Sequence, residues 1–324
     1  MRDEMIGKPN KIAIITGANS GIGKAAAIQF ASNGWHVIMA CRDTAAGTEA
    51  LQEIMEQSRS THVSLLQLDV SSFASIRQFN ERLREHYDHI DCIIHNAAHF
   101  KHGQKKWQES ADGFELTFAA NTFGPFLMTH LLLDLLQKSG DARVLHACST
   151  NIKHFFDPKR SIEWDLIASP FNTESQARPY SSYKMYGDSK MALFMLTRKM
   201  AEEWKPYGIK VNALQISGVR MSKRTLTNLN GLWKLAAHMQ NLIFPLPEAM
   251  ANNYYEICTN PKFYELSGQL FNDKLGVIQP GGLNVKITER VKYIFGSSHY
   301  PSYAVDNDRT EQLWKLGHEV CLAR

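Results

Sequence analysis

The sequence predicts an α/β protein: a doubly wound parallel sheet in a single domain, with a C-terminal extension. Three observations carry that expectation. Short apolar, β-rich runs alternate with helical stretches from Ile12 to Gln215, and such alternation selects a parallel sheet with right-handed crossovers. A glycine-punctuated turn, Thr16-Gly17-Ala18-Asn19-Ser20-Gly21-Ile22-Gly23, joins the first such run to the first helix. Asp69, Asn96 and Ser149 fall at or just past the carboxyl ends of strands, the edge along which open α/β sheets hold their ligands.

Composition narrows the classes. At 44% hydrophobic and 21% charged, the 324 residues can fill a sizeable core and show no signature of disorder. A net charge of +4, not gathered into a block, argues against a nucleic-acid partner and weakly for small anions. Cys41, Cys92, Cys148, Cys258 and Cys321 are scattered and form no Cys-x-x-Cys, which points away from a zinc site or disulfide frame and towards a reducing, cytoplasmic setting. Residues 1–11 lack the apolar centre of a signal peptide. The uncharged run 116–133 carries Asn121, Thr122, Gly124, Pro125, Thr129 and His130, which fits a buried helix better than a membrane span.

In chain order, 12–16 is the first strand and 24–30 the helix after the glycine turn. Gly17 permits a tight turn, and Gly21 and Gly23 let backbone approach a pyrophosphate at the helix N-terminus, where free N–H groups favour negative charge. The spacing is Gly-x-x-x-Gly-x-Gly, and a simple glycine-rich turn is the alternative. The second strand, 35–41, ends in Cys41-Arg42-Asp43. An acidic residue there selects NAD through the ribose 2′-hydroxyl; a guanidinium can pair instead with a 2′-phosphate. Arg42 therefore predicts NADP(H), unless it is a solvated surface charge or is neutralised by Asp43.

Helix 45–57, strand 63–68, Asp69-Val70, helix 73–87, strand 91–95 and Asn96-Ala97-Ala98 continue the rhythm. Asp69 can accept from an adenine amino group, and Asn96 is either a ligand contact or a turn residue. A long helix carrying Asn121 precedes strand 143–147, with Ser149 at its mouth, where a hydroxyl can donate to an oxyanion. Residues 150–185 are rich in aromatics and prolines, among them Phe155, Phe156, Pro158, Trp164, Pro170, Phe171 and Pro179; loops that long are functional or partly structured. Helix 180–204 follows, then strand 210–215.

Within helix 180–204, Tyr186 and Lys190 stand four residues apart and share a face. A phenol holds its proton to a pH of about 10; a close, partly desolvated ammonium favours the phenolate and makes the pair useful for proton transfer. Beyond Ser217, Leu226, Leu229, Leu232, Trp233, Leu235, Met239, Leu242, Ile243 and Phe244, then Tyr254, Tyr255, Phe263, Tyr264 and Phe271, form an apolar series. It either completes the core or a dimer face, or forms a lid over a lipophilic substrate. Helix 309–320 closes the chain.

Taken together, Thr16-Gly17-x-x-x-Gly21-x-Gly23, Asp69, Asn96-Ala97-Ala98, Asn121, Ser149 and Tyr186-x-x-x-Lys190 resemble the short-chain dehydrogenase/reductase superfamily over residues 10–320. Ala-Cys-Arg-Asp at 40–43, the long interval before Tyr186 and the ending around Trp314 are similar to the retinol dehydrogenase, WW-domain oxidoreductase and protochlorophyllide reductase branch, without a WW domain. The resemblance implies a Rossmann-type fold. It makes Tyr186 the acid/base, with Lys190 holding the nicotinamide ribose and lowering the Tyr186 pKa. Ser149 orients the substrate carbonyl and Asn121 keeps a relay water in place. Two departures stand out: Ala98 replaces a glycine, and Ile216-Ser217 stands where relatives carry Pro-Gly, with Met221-Ser222 near the hydroxyl position that faces the carboxamide.

The resulting expectation is an NADP(H)-dependent oxidoreductase interconverting a lipophilic carbonyl compound and its alcohol, of retinoid, steroid or prenyl type. An NADP(H)-binding interaction protein with little turnover is the rival. The expected organisation is an extension at 1–10, a nucleotide-binding and catalytic region at 11–221, a substrate lid at 222–304 and a terminal helix at 305–324. Peripheral membrane contact through the lid is left open, as is a homodimer through helices 112–138 and 180–204, the latter by family analogy.

Overall fold

The computed structural model describes residues 11–168, 179–220, 227, 231–282 and 286–323. The 1–10 extension, Pro170, Phe171, Met221, Ser222, Leu226 and Leu229 lie outside the described residues, as do the side chains of Leu232, Trp233, Leu242 and Ile243.

The first half alternates as the sequence predicts: β1 (Ile12–Thr16), α1 (Gly21–Ser32), β2 (His36–Cys41), α2 (Thr44–Ser58), β3 (Val63–Gln67), α3 (Phe73–His86) and β4 (Cys92–His95). Caps set the helix starts. Asp43 accepts from the Ala46 N–H at 3.0 Å to begin α2, and Ser72 caps α3, each satisfying an amide that has no partner within its helix.

The expected long helix around Asn121 is broken into three pieces: α4 (Leu116–Phe118), a π turn (Ala119–Phe123) and α5 (Gly124–Leu131), followed after Leu132 by α6 (Leu133–Ser139). Pro125 explains the first break. It has no N–H for the Asn121 carbonyl four residues back, and its ring would collide with that carbonyl in a regular α-helix; a π turn relieves both problems.

Then come β5 (Arg143–Ser149), α7 (Trp164–Ile167), α8 (Ser182–Glu203), β6 (Lys210–Ile216), α9 (Gly231–Ile243), α10 (Pro247–Thr259) and β7 (Leu270–Phe271). The seven strands make one sheet in the order β3-β2-β1-β4-β5-β6-β7, parallel at every pairing. Helices cover both faces, so β1 and β5 are buried along their whole length; β1 accordingly reads as a near-continuous apolar run, while β5 carries Arg143, His146 and Ser149.

The last third departs from the lid expectation in part. The αβ rhythm resumes at α10, whose Met250, Tyr254, Ile257 and Cys258 are buried at the spacing of one helical face. Tyr254 and Phe271 are 0% exposed and Phe263 3%, so this stretch completes the core beside α1. Leu235 and Met239 of α9 are exposed. A two-stranded parallel ladder, β8 (Gln279–Pro280) with β9 (His299–Tyr300), brackets α11 (Ile287–Phe295).

The terminal helix α12 (Asn307–Gly317) runs into a π turn, His318–Leu322, and lies on α5 and α8. Trp314 packs tilted and His318 edge-on against His130, with ring centres at 5.2 and 5.1 Å, Lys199 pairs with Glu311, and Arg77 donates to the Cys321 carbonyl at 2.8 Å. The chain itself thus covers part of the helix faces through which a homodimer was expected. Among the described residues no single helix is long and apolar enough to cross a membrane; the bent pair Leu116–Leu131 with Leu133–Ser139 would pass by composition, but most of its apolar side chains belong to the core.

Candidate active site

The carboxyl ends of β1, β2 and β4 open into a cavity of about 470 Å³ lined by Gly17, Asn19, Ser20, Arg42, Asp69, Val70, Asn96 and Ala97. Gly21 borders the adjoining depression with Asn19 and Ser20; Ile22 and Gly23 line neither. Gly17 sits at φ 67°, a left-handed conformation open to glycine. At Gly23 a Cβ would come within 2.4 Å of the Gly17 carbonyl and 2.5 Å of Asn96 Nδ2, so no side chain fits between turn and helix. Ser20 stands at the α1 N-cap without a side-chain capping bond, and the first amides of α1 keep their capacity for an anion. A phosphate-bearing nucleotide fits this cradle.

Asn96 works mainly on the loop. Its Nδ2 donates to the Thr16 carbonyl at 3.0 Å, its Oδ1 accepts from the Tyr254 hydroxyl at 3.3 Å, and the neighbouring Ala97 N–H donates to Thr16 Oγ1 at 2.9 Å. Asp69 accepts from the Ser71 N–H and hydroxyl at 2.9 and 2.6 Å, fixing the turn that carries Val70. Cys41 is buried under the glycine loop, and burial pushes its thiol up to about 11.

Beside this cavity β5 and α8 bring Ser149, Tyr186 and Lys190 together. The Ser149 hydroxyl accepts from the Asn151 N–H at 3.2 Å and acts to lower the Tyr186 phenol. Lys190 is 1% exposed; its ammonium donates to the Ala147 carbonyl at 2.8 Å and lies 5.8 Å from the Tyr186 ring centre. Burial draws Lys190 down to about 8 and pushes the Tyr186 phenol up to about 12 against the opposing influence of Ser149. The ammonium is turned towards Ala147, and burial is the largest influence on the phenol.

Asn121, 0% exposed, ties the two halves of the site. Its Oδ1 accepts from the His99 N–H at 2.7 Å, and its Nδ2 donates to the His99 carbonyl and to Ser189 Oγ, both at 3.0 Å. His99 lines the nucleotide cavity and is shifted down by burial, then by the fields of Arg42 and Lys101.

Sequence reasoning missed the loop that follows Ala98. Phe100 packs on Tyr186 at 4.6 Å and on Tyr183 at 5.1 Å, and His102 hydrogen-bonds Tyr183 at 2.9 Å. An aromatic residue four positions past Asn96 was the available signal. Also missed was Asp188, 0% exposed and paired with Arg160, whose guanidinium lies over Phe155 at 4.8 Å. With the Lys184–Glu163 pair, it clamps the aromatic interval onto α8. Ser217, in the altered stretch, donates to Asp273 at 3.0 Å.

A family model described as short chain dehydrogenase matches residues 11–156, and one described as enoyl-(acyl carrier protein) reductase matches 170–245. Over 286 residues the chain is 32% identical to retinol dehydrogenase 12 of Mus musculus, across 87% of this chain and 84% of that protein. It is 30% identical over 267 residues to retinol dehydrogenase 13 of Homo sapiens, across 82% and 76% respectively. In structure it is similar to the RhlG/NADP active-site complex of Pseudomonas aeruginosa, with TM-score 0.61 and 23% identity over 82% of this chain and 96% of that one, a likeness of fold.

Proposed function

Because this chain belongs to the short-chain dehydrogenase/reductase superfamily, in its retinol dehydrogenase-like branch, and is an oxidoreductase using a nicotinamide cofactor, we propose that it interconverts a lipophilic carbonyl compound and its alcohol, prefers NADP(H), and uses Tyr186 as acid/base. The observation that carries this reading is the convergence of Ser149, Tyr186 and a buried Lys190, its ammonium 5.8 Å from the Tyr186 ring centre, beside the cavity at the strand ends.

Gly17, Asn19, Ser20 and the start of α1 hold the phosphates, Asp69 and Val70 flank the adenine, and Arg42 takes the 2′-phosphate. Bound there, the cofactor supplies or accepts the hydride at the substrate carbon. Ser149 orients the carbonyl oxygen, and Tyr186 delivers a proton to it from Oη. A phenol pushed up to about 12 stays protonated at neutral pH, which suits the reductive direction. Phe100 and Tyr183 give the site an apolar wall, in keeping with a retinoid, steroid or prenyl substrate.

The test is single-turnover oxidation of NADPH, with NADH in parallel, against retinal, a steroid ketone, farnesal and a quinone. Tyr186→Phe should cut turnover of the accepted substrate by about 10²–10⁴-fold and leave NADPH affinity near wild type; undiminished turnover would overturn the role. Tight NADPH binding with no turnover by the wild type across the panel would favour a cofactor-sensing interaction protein.

A further inference from the structure

We propose that α11 is an interfacial helix that docks the protein on an anionic phospholipid bilayer. Its nine residues include none that is buried. Ile287, Val291, Ile294 and Phe295 are 76, 47, 38 and 85% exposed, and at 100° per residue they share an arc of about 100°. An apolar stripe of this width usually faces a core; here it faces outward.

The charges around the stripe choose the occupant. Exposed Lys292 follows one edge of the arc and exposed Lys286 precedes the helix, while half-buried Arg290 follows the other edge. Cations flanking an apolar stripe can lay their stems along it and place their heads at the level of lipid phosphates. The helix's single acid, Glu289, lies opposite the stripe, where it accepts from the Tyr293 hydroxyl at 2.9 Å. That opposite side is also the anchored one: Tyr293 stacks on His299 at 4.1 Å and packs on Phe156 at 5.5 Å.

The anchor leads to the chemistry. Lys153 donates to the Gly296 carbonyl at the C-terminal end of α11, and the turn Thr150–Phe156 that carries Lys153 starts directly after Ser149. A bilayer on the outer face of α11 therefore lies one packed segment from the candidate catalytic hydroxyl.

Co-sedimentation of the full chain with vesicles of phosphatidylcholine, with and without about one-quarter phosphatidylserine, tests this. Wild type should partition at least tenfold more strongly onto the anionic vesicles, and added salt should weaken the binding. The double variant Ile287→Ser, Phe295→Ser should lose binding to both vesicles by tenfold or more, and Lys286→Glu, Lys292→Glu, at two exposed positions, should lose the preference for phosphatidylserine; both should keep the wild-type melting temperature. Wild type remaining in the supernatant with every vesicle would overturn the proposal, as would serine variants that bind undiminished. So would a wild-type dimer in sedimentation that the serine variants abolish, which would assign the face to a second copy of the chain.

Discussion

The side-chain amide of Asn121 holds both backbone polar groups of His99, accepting from its N–H at 2.7 Å and donating to its carbonyl at 3.0 Å. One side chain thereby fixes the loop that borders the nucleotide cavity to the helix region that borders Tyr186. Asn121→Leu leaves the His99 groups and Ser189 Oγ without this partner in a buried place, at a cost of about 2–4 kcal/mol. Urea unfolding should show that loss, and kcat/KM should fall at least tenfold. Wild-type stability in the variant would refute the link.

Lys190 couples activity and stability to pH with opposite signs. Its folded pKa, drawn by burial to about 8, lies below the ordinary 10.5. Activity that uses its ammonium should fall as pH rises through about 8. Between about 8 and 10.5 the unfolded chain holds a proton the folded chain has released, so the lysine's contribution to stability rises with pH over that window. Lys190→Met should remove both trends; pH profiles of kcat and of the urea midpoint read them separately.

Arg42 lines the cavity at the end of β2, where the 2′ position of an adenosine ribose would lie. Arg42→Ala should raise KM for NADPH at least tenfold while changing KM for NADH by less than about threefold, because only one cofactor carries the phosphate. An equal change for both would remove Arg42 from cofactor selection.

Two stacked imidazoles predict acid sensitivity. His95 and His146 lie 5.0 Å apart, bonded to Thr129 at 2.8 Å and Thr197 at 2.9 Å. Both threonine hydroxyls already donate to helix carbonyls, at 2.6 and 2.8 Å, so the rings donate to them. Burial holds His95 down at about 3, and His146 well below its usual value. The unfolded chain takes up protons below pH 6.5 that the folded rings refuse, so stability falls as pH drops from 6.5 towards 3. Asp188 works against this, because burial raises it to about 7 and the folded chain then gains stability as pH drops from 7 towards 4. The two rings should outweigh the one carboxyl. Urea midpoints across this range should fall with acidification, and less steeply in His95→Gln, which keeps an N–H for Thr129; an unchanged slope would refute the assignment.

The sheet was legible because its signals are local: apolar runs, a glycine turn and polar residues at strand ends need no knowledge of distant partners. Ser149, Tyr186 and Lys190 were legible for the same reason. The break at Asn121 was also written locally, in Pro125, but an apolar run draws the eye to a continuous helix. The role of α10 was ambiguous because a buried stripe reads the same whether it covers a core or a ligand. Arg160 and Asp188, Phe100 and Tyr186, and Asn121 and His99 meet only after folding. No spacing rule announces such pairs.

Helix α12 also orders events during synthesis. The aromatic face formed by Phe126, His130 and Trp204 is complete once residue 204 is made, yet Trp314 and His318, which close over it, are translated after every strand of the main sheet. Until that stretch leaves the ribosome, the nascent chain carries an exposed greasy face and an unmade contact between Arg77 and Cys321. The nucleotide cradle can assemble first, because all its residues precede α12 in the chain.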